Sequence, residues 1–147
     1  MITLLDTTLR DGEQTSGVSF AKQEKLAIAR LVLEDLRVDR IEVASARVSD
    51  GEFETVRNIA RWAAQNGYED KVEVLGFVDG QVSLEWVKNA GVKVMNLLCK
   101  GSHKHCTMQL GKKPEEHIAD IIQVVTVAHE WGVGINVYLE DWSNGMK

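Results

Sequence analysis

Cysteine is scarce in this sequence, with Cys99 and Cys106 the two present among 147 residues. That is too few for a disulfide framework, and neither belongs to a C-x-x-C pair of the kind that holds structural zinc, so a reducing cytoplasmic setting is expected. Proline occurs once, and no low-complexity tract, linker or close repeat interrupts the chain, which excludes fibrous and disordered classes and leaves residues 1–147 as one domain. There is no basic excess: Lys and Arg number 17 against 22 Asp and Glu, a net charge of −5. Nucleic acid and anionic membrane are therefore not expected as partners, and small molecules are. The sequence opens on a strand-like run, Ile2 to Leu5, without the basic and apolar stretches of a secretory signal, and no window reaches membrane-spanning length. What remains, 44% hydrophobic and 27% charged residues with 12 glycines, can bury a sizeable globular core.

Short β-branched runs alternate with longer stretches of helical period, the pattern of consecutive βα units on a parallel sheet. Five strands are predicted, near Ile2 to Leu5, Arg40 to Val43, Lys71 to Phe77, Val92 to Leu97 and Gly134 to Tyr138. The apolar stripes of four helices lie between them. The first carries Leu26, Ala29, Leu33 and Leu36. The second opens on Ser49-Asp50-Gly51-Glu52, where Ser49 can cap and Glu52 can reach back, and buries Phe53, Val56, Ile59 and Ala63. The third holds Leu84, Val87 and Ala90, ending at Gly91. The fourth starts at Pro114, buries Ile118, Ile121, Val125 and Ala128, and stops at Gly132. Val92 to Leu98 is nearly continuous in apolar character, as a strand covered on both faces should be.

Five strands fall short of the eight, in about 250 residues, that a closed parallel barrel needs. The sequence stops just past the fifth strand, at Asp141 to Lys147, without a further helix, and reads as a truncated product. An open doubly wound sheet is the alternative architecture. In either, reactive groups belong at the carboxyl ends of the strands. The first strand is followed by Asp6-Thr7-Thr8-Leu9-Arg10-Asp11-Gly12-Glu13-Gln14. Carboxylate oxygen could hold a hard cation there while the guanidinium forks onto an anionic substrate, although a solvated polar loop has the same composition.

That string closely resembles the first-strand motif of the isopropylmalate, homocitrate and citramalate synthases and hydroxymethylglutaryl-CoA lyases. The likeness continues in Gly17-Val18-Ser19-Phe20, in Arg40-Ile41-Glu42-Val43-Ala44-Ser45-Ala46-Arg47, in Leu75-Gly76-Phe77-Val78-Asp79-Gly80 and in Asn136 to Gly145. It covers essentially the whole chain and is nearest in pattern to the citramalate synthases. The resemblance implies the first five strands and four helices of a partial (β/α)8 TIM barrel, the amino-terminal part of a catalytic domain. It implies an acyltransferase that condenses acetyl-CoA with a 2-oxo acid, pyruvate for citramalate synthase, in branched-chain amino-acid biosynthesis, aided by a divalent metal, Mg²⁺, Mn²⁺ or Zn²⁺. Asp11 then matches a metal ligand, and Arg10 lies beside the keto oxygen, where a fixed positive charge stabilises the alkoxide. Glu42 matches an acid that supports the arginine; an ordinary strand-end salt bridge is the other reading. Gln14, Leu75, Phe77, Leu98 and Tyr138 match substrate-binding positions, and Glu140 a catalytic one. By strand period Tyr138 and Glu140 share a face, as do Leu75 and Phe77.

Other residues invite roles that are not assigned. His103-Lys104-His105 has the spacing of a ligand pair on a strand, but comes after the fourth strand and reads as an exposed polar loop or, for His105, as a hydrogen-bonding group on the substrate side. His117 and His129 read as surface groups of the last helix, and both cysteines as inert thiols. Three hypotheses remain: a citramalate synthase fragment, a 2-isopropylmalate synthase fragment using 2-oxoisovalerate, and a non-catalytic half-barrel that forms a homodimer by covering its strand edges with a second copy. Under the first two, the piece alone is expected to have little activity and weak metal affinity.

Overall fold

A computed structural model describes residues 2–146, and across them five strands alternate with six α-helices. The strands are β1 (Leu5–Asp6), β2 (Arg40–Ser45), β3 (Val72–Phe77), β4 (Val94–Lys100) and β5 (Gly134–Glu140). The helices are α1 (Lys22–Arg30), α2 (Asp50–Asn66), α3 (Val82–Asn89), α4 (His103–Gln109), α5 (Pro114–Glu130) and α6 (Trp142–Gly145). Every strand pairs in parallel with its sequence neighbour, in the order β1-β2-β3-β4-β5. A doubly wound sheet reverses its order at a switch point; among the described strands there is no reversal, and the sheet curls as half of a barrel.

Burial agrees with the curl. On β4, Met95, Leu97 and Cys99 are fully buried against helix residues such as Leu84, Val87 and Val124, whereas Asn96, Leu98 and Lys100 alternate onto the concave side. The apolar run there does not mean cover by helices on both faces, as its composition suggests; the core lies on the convex side. β1 is shorter than expected and displaced: Ile2 and Leu4 are exposed, and pairing with β2 begins at Leu5.

The helices keep to the expected stripes with instructive departures. After Arg30 the chain widens into a π-helical turn, Leu31–Asp35, which rotates the residues beyond it. Ala29 and Leu33 are buried, but Lys25 and Val32 join them and Leu36 is turned out to 64% exposure. On α2, Ser49 accepts the Glu52 amide at 3.1 Å, and Val56, Ile59 and Ala63 are buried as the period predicts. Glu52 does not reach back; its carboxylate binds Lys25. On α5 the inward residues are His117, Val124 and Ala128, with Ile118 and Val125 exposed. The expected face is displaced because His117, read as a surface group, is drawn inward: its Nε2 accepts the Lys100 amide at 2.9 Å. Two helices were not foreseen. α4 converts the His103-Lys104-His105 loop into helix, capped by Ser102, which accepts the His105 amide at 3.2 Å, and α6 comes directly after β5. Lys147 lies outside the described residues.

Candidate active site

All five strands end on one rim because all run parallel. β1 reaches it at Asp6, and the chain then turns tightly: the amides of Arg10, Asp11 and Gly12 converge on the Thr7 carbonyl at 3.1, 2.8 and 3.1 Å. Asp6 accepts the Thr8 amide and hydroxyl at 3.0 and 3.1 Å. The turn buries Leu9 in the core and directs Arg10 over the concave face, where its Nε donates to Glu42 Oε2 at 2.5 Å and an Nη donates to Asp11 Oδ1 at 3.1 Å. Glu42 is fully buried on β2. Its second oxygen accepts from Asn96 Nδ2 at 2.6 Å, and Asn96 Oδ1 accepts from Asn136 Nδ2 at 2.9 Å. A buried carboxylate is destabilising unless both oxygens are satisfied; here a guanidinium and an amide do so.

The same face carries further rows set by register. Leu75, Asn96 and Asn136 form one, Phe77, Leu98 and Tyr138 the next, and Lys100 with Glu140 lies nearest the rim. Leu75 is 5% exposed and sits deep. Phe77 and Leu98, with Lys100, Leu110, Lys112 and His117, line a cleft of about 270 Å³. Tyr138 is half-buried, and burial, reinforced by the charges of Glu42 and Glu73, pushes its hydroxyl up to about 12. Lys100 forms a salt bridge with Glu140.

Asp11 is 63% exposed, and Gln14, exposed nearby, lines with Arg10, Glu13 and Glu52 a second cleft of about 170 Å³. A hard divalent cation takes six or more oxygen ligands, of which the protein commonly supplies several. Among the described residues no group of three or more His, Cys, Asp or Glu could hold a metal. Glu42 is committed to Arg10 and Asn96, so Asp11 offers one carboxylate. The described residues do not by themselves fit the metal that the resemblance implies. Both cysteines are free and buried, and burial pushes the Cys99 thiol up to about 11.

Four contributors carry no role in the sequence reading, although Asn136 and Asp141 lie in the Asn136 to Gly145 stretch. Asn96 and Asn136 carry a usable signal, since each is a polar residue at an inward position of an otherwise apolar strand. Lys25 does not. It lies 2% exposed under the Arg10 loop, bound to Glu13 at 2.5 Å and to Glu52 at 2.7 and 2.9 Å. Burial works against its charge, but the two carboxylates outweigh it and the ammonium is raised above its ordinary range. Because Glu13 also accepts the Phe20 amide at 3.1 Å, Lys25 ties both ends of the loop to α2. Asp141 joins the loops after β4 and β5, accepting from Ser102 Oγ at 2.6 Å, with His105 Nε2 at 3.4 Å.

The sequence profile of the HMGL-like family matches residues 1–145. The chain belongs to the HMGL-like family. It is 36% identical over 129 residues to a 2-isopropylmalate synthase of Oceanobacillus iheyensis, covering 88% of this chain and 25% of that protein. It is 34% identical over 142 residues to an (R)-citramalate synthase of Methanocaldococcus jannaschii, covering 96% and 28%. An HMG-CoA lyase from Bacillus subtilis superposes with a TM-score of 0.70 at 21% identity, over 94% of this chain and 46% of the lyase. The chain thus spans between a quarter and a third of these two HMGL-like synthases and about half of the lyase chain. The fold is the TIM-barrel wall that the resemblance implies, five strands of it.

Proposed function

We propose that this chain forms the amino-terminal half of the catalytic barrel of a synthase that condenses acetyl-CoA with a 2-oxo acid. The observation that carries the reading is Arg10, from the loop at the carboxyl end of β1, held by the buried Glu42 on the concave face that also carries the row of Phe77, Leu98 and Tyr138. In a Claisen-type condensation the acetyl methyl loses a proton and attacks the keto carbon, whose oxygen becomes an alkoxide and takes up a proton; water then cleaves the thioester, leaving a carboxylate and releasing CoA as the free thiol. Arg10, pinned through Nε, presents a fixed positive charge to that oxygen. Phe77 and Leu98 wall the space for the oxo acid's side chain, Tyr138 stays protonated as a hydrogen-bond donor, and Glu140 is the rim carboxylate that handles the proton, with Gln14 at the loop edge. Asp11 is proposed as one ligand of a divalent ion whose remaining ligands lie outside the described residues; no step above is routed through that ion.

Pyruvate is the proposed acceptor because bulky Leu75, Phe77 and Leu98 leave room for a methyl. One extra methylene is discriminated by about 1–3 kcal/mol in an apolar pocket, so 2-oxoisovalerate, the acceptor of a 2-isopropylmalate synthase, is the alternative. Thiol release from acetyl-CoA by the full polypeptide carrying this sequence tests both. Pyruvate is expected to support release and 2-oxoisovalerate to support it more slowly; no release with either overturns the reading.

A second reading, a half-barrel that pairs with a second copy, is favoured by one observation. Ile118, Leu139 and Trp142 are exposed around a single cleft at β5, with Val137 exposed on the same strand face.

A further inference from the structure

Arg10 stands on a loop behind a two-residue strand, with a long side chain that has many rotamers to choose from. Glu42 holds it, and just past Glu42 the β2–β3 register slips before Ser45. A bulge of this kind re-aims the side chain beside it. Among the described residues the donors to the Glu42 carboxylate are Arg10 on one oxygen and Asn96 on the other. Asn96 sits at the middle of β4, the most regular strand of the concave face, and is itself fully buried. Its amide cannot flip freely: Asn136 donates to its oxygen at 2.9 Å, which leaves the nitrogen aimed at Glu42.

We propose that Asn96 is a positioning residue, whose amide, oriented by Asn136, locks the Glu42 carboxylate in the setting that aims Arg10 at the rim. The proposal rests on the reading of Arg10 given under Proposed function. The relay runs from β5 through β4 and β2 to the loop after β1, so it crosses the half-barrel from one edge to the other. Successive donors all point toward the carboxylate, and hydrogen bonds aligned in this way strengthen one another. The charged and titratable groups facing Glu42 are Arg10 from the β1 loop, Glu73 as its register partner on β3, Arg40 bound to Glu73 at 2.9 Å, and Tyr138 from β5. In their midst Asn96 supplies the neutral donor to the Glu42 oxygen that Arg10 does not bind.

The test is Asn96→Asp, nearly isosteric, in which Glu42 and the introduced carboxylate must share a proton or repel. Asn96→Leu, which removes the donor, and Asn136→Ala, at a half-buried site where the Glu42 to Asn96 contact survives, guard against failure to fold. The readouts are the ¹⁵N–¹H resonance of Arg10 Nε in the full chain and the pH profile of thiol release from acetyl-CoA with pyruvate. In the unsubstituted protein the resonance is expected to be sharp. In Asn96→Asp it should shift and broaden across a new ionisation above the ordinary carboxylate range. The turnover rate should fall about tenfold above that ionisation and recover below it, matching loss of one charge-assisted hydrogen bond, while KM for acetyl-CoA stays unchanged. Asn96→Leu should be depressed at every pH, and Asn136→Ala should move the resonance less. An Arg10 resonance unmoved in all three variants overturns the proposal. A resonance that moves while the turnover profiles superimpose supports the relay and overturns the part given to Arg10 in the reaction.

Discussion

The chemistry of Arg10 depends on which of its nitrogens is spent. Nε is held by Glu42 at 2.5 Å and one Nη by Asp11 at 3.1 Å, so the guanidinium plane is fixed by two partners on different elements. A lysine there keeps the charge and loses the fork. Arg10→Lys is therefore expected to lower the rate of thiol release by roughly 10²–10³, the loss typical of one oxyanion donor, with circular dichroism unchanged; a variant within a factor of about two of the parent removes Arg10 from the mechanism. His117 makes a different demand. Its Nε2 must stay unprotonated to accept the Lys100 amide, and burial, aided by Lys112 and Lys100 and opposed by Asp120, lowers its ionisation below the ordinary histidine value. A depressed folded value means stability present above about pH 6.5, the unfolded midpoint, and lost as pH falls through the folded one. Urea midpoints should drop between about pH 7 and pH 5, and His117→Gln should flatten that slope; equal slopes would contradict the assignment.

Elements show where the sequence was legible. α2 was read almost whole, from its Ser49 start to its buried Val56, Ile59 and Ala63, because local capping and a helical period of about 3.6 residues agreed. Ser49→Ala should accordingly cost about 1 kcal/mol of unfolding free energy, the usual worth of a serine cap, measured by denaturant titration. The two faces misjudged, on α1 and α5, fail for tertiary reasons: a π turn adds a residue to the rotation of the first, and a histidine is recruited inward by a strand amide on the second. α4 is not legible in the sequence, since His103 to Gln109 has no apolar stripe and Cys106 is its one buried residue. The candidate site was legible where a contiguous motif carried it, from Asp6 to Gln14, and opaque where partners meet from several strands, as Asn96 does. α6 adds a packing constraint at Gly145, the last residue of the Asn136 to Gly145 stretch. A side chain on Gly145 would drive its Cβ into the Gly101 carbonyl oxygen, so Gly145→Ala should push α6 away from β4 and loosen the Asp141 junction. A lowered melting temperature, with Ser102→Ala adding little further loss, would be the sign of that shared junction.

At the scale of the whole molecule, a half-barrel has two free sheet edges, and an unpaired edge is a template for pairing. The β1 edge is short, two residues long. The β5 edge is seven residues long, and its neighbourhood is apolar: Val137 and Leu139 are 48% and 45% exposed, Ile118 and Ile122 on α5 more so. Apolar surface of this kind marks an interaction site, whether further strands of one barrel cover it or a second copy does. The two cases differ in concentration dependence. If copies pair through β5, sedimentation velocity of the chain should show a species heavier than a monomer that grows with concentration. Leu139→Glu, which sets a charge in the contact, should then weaken association by at least about tenfold, or about 1.4 kcal/mol. Asp11, on the far edge and 63% exposed, serves as the control position, since Asp11→Asn should leave association unchanged. A chain that sediments as a monomer at every concentration, with or without Leu139→Glu, leaves the β5 face to the rest of a single barrel and removes the self-pairing module from consideration.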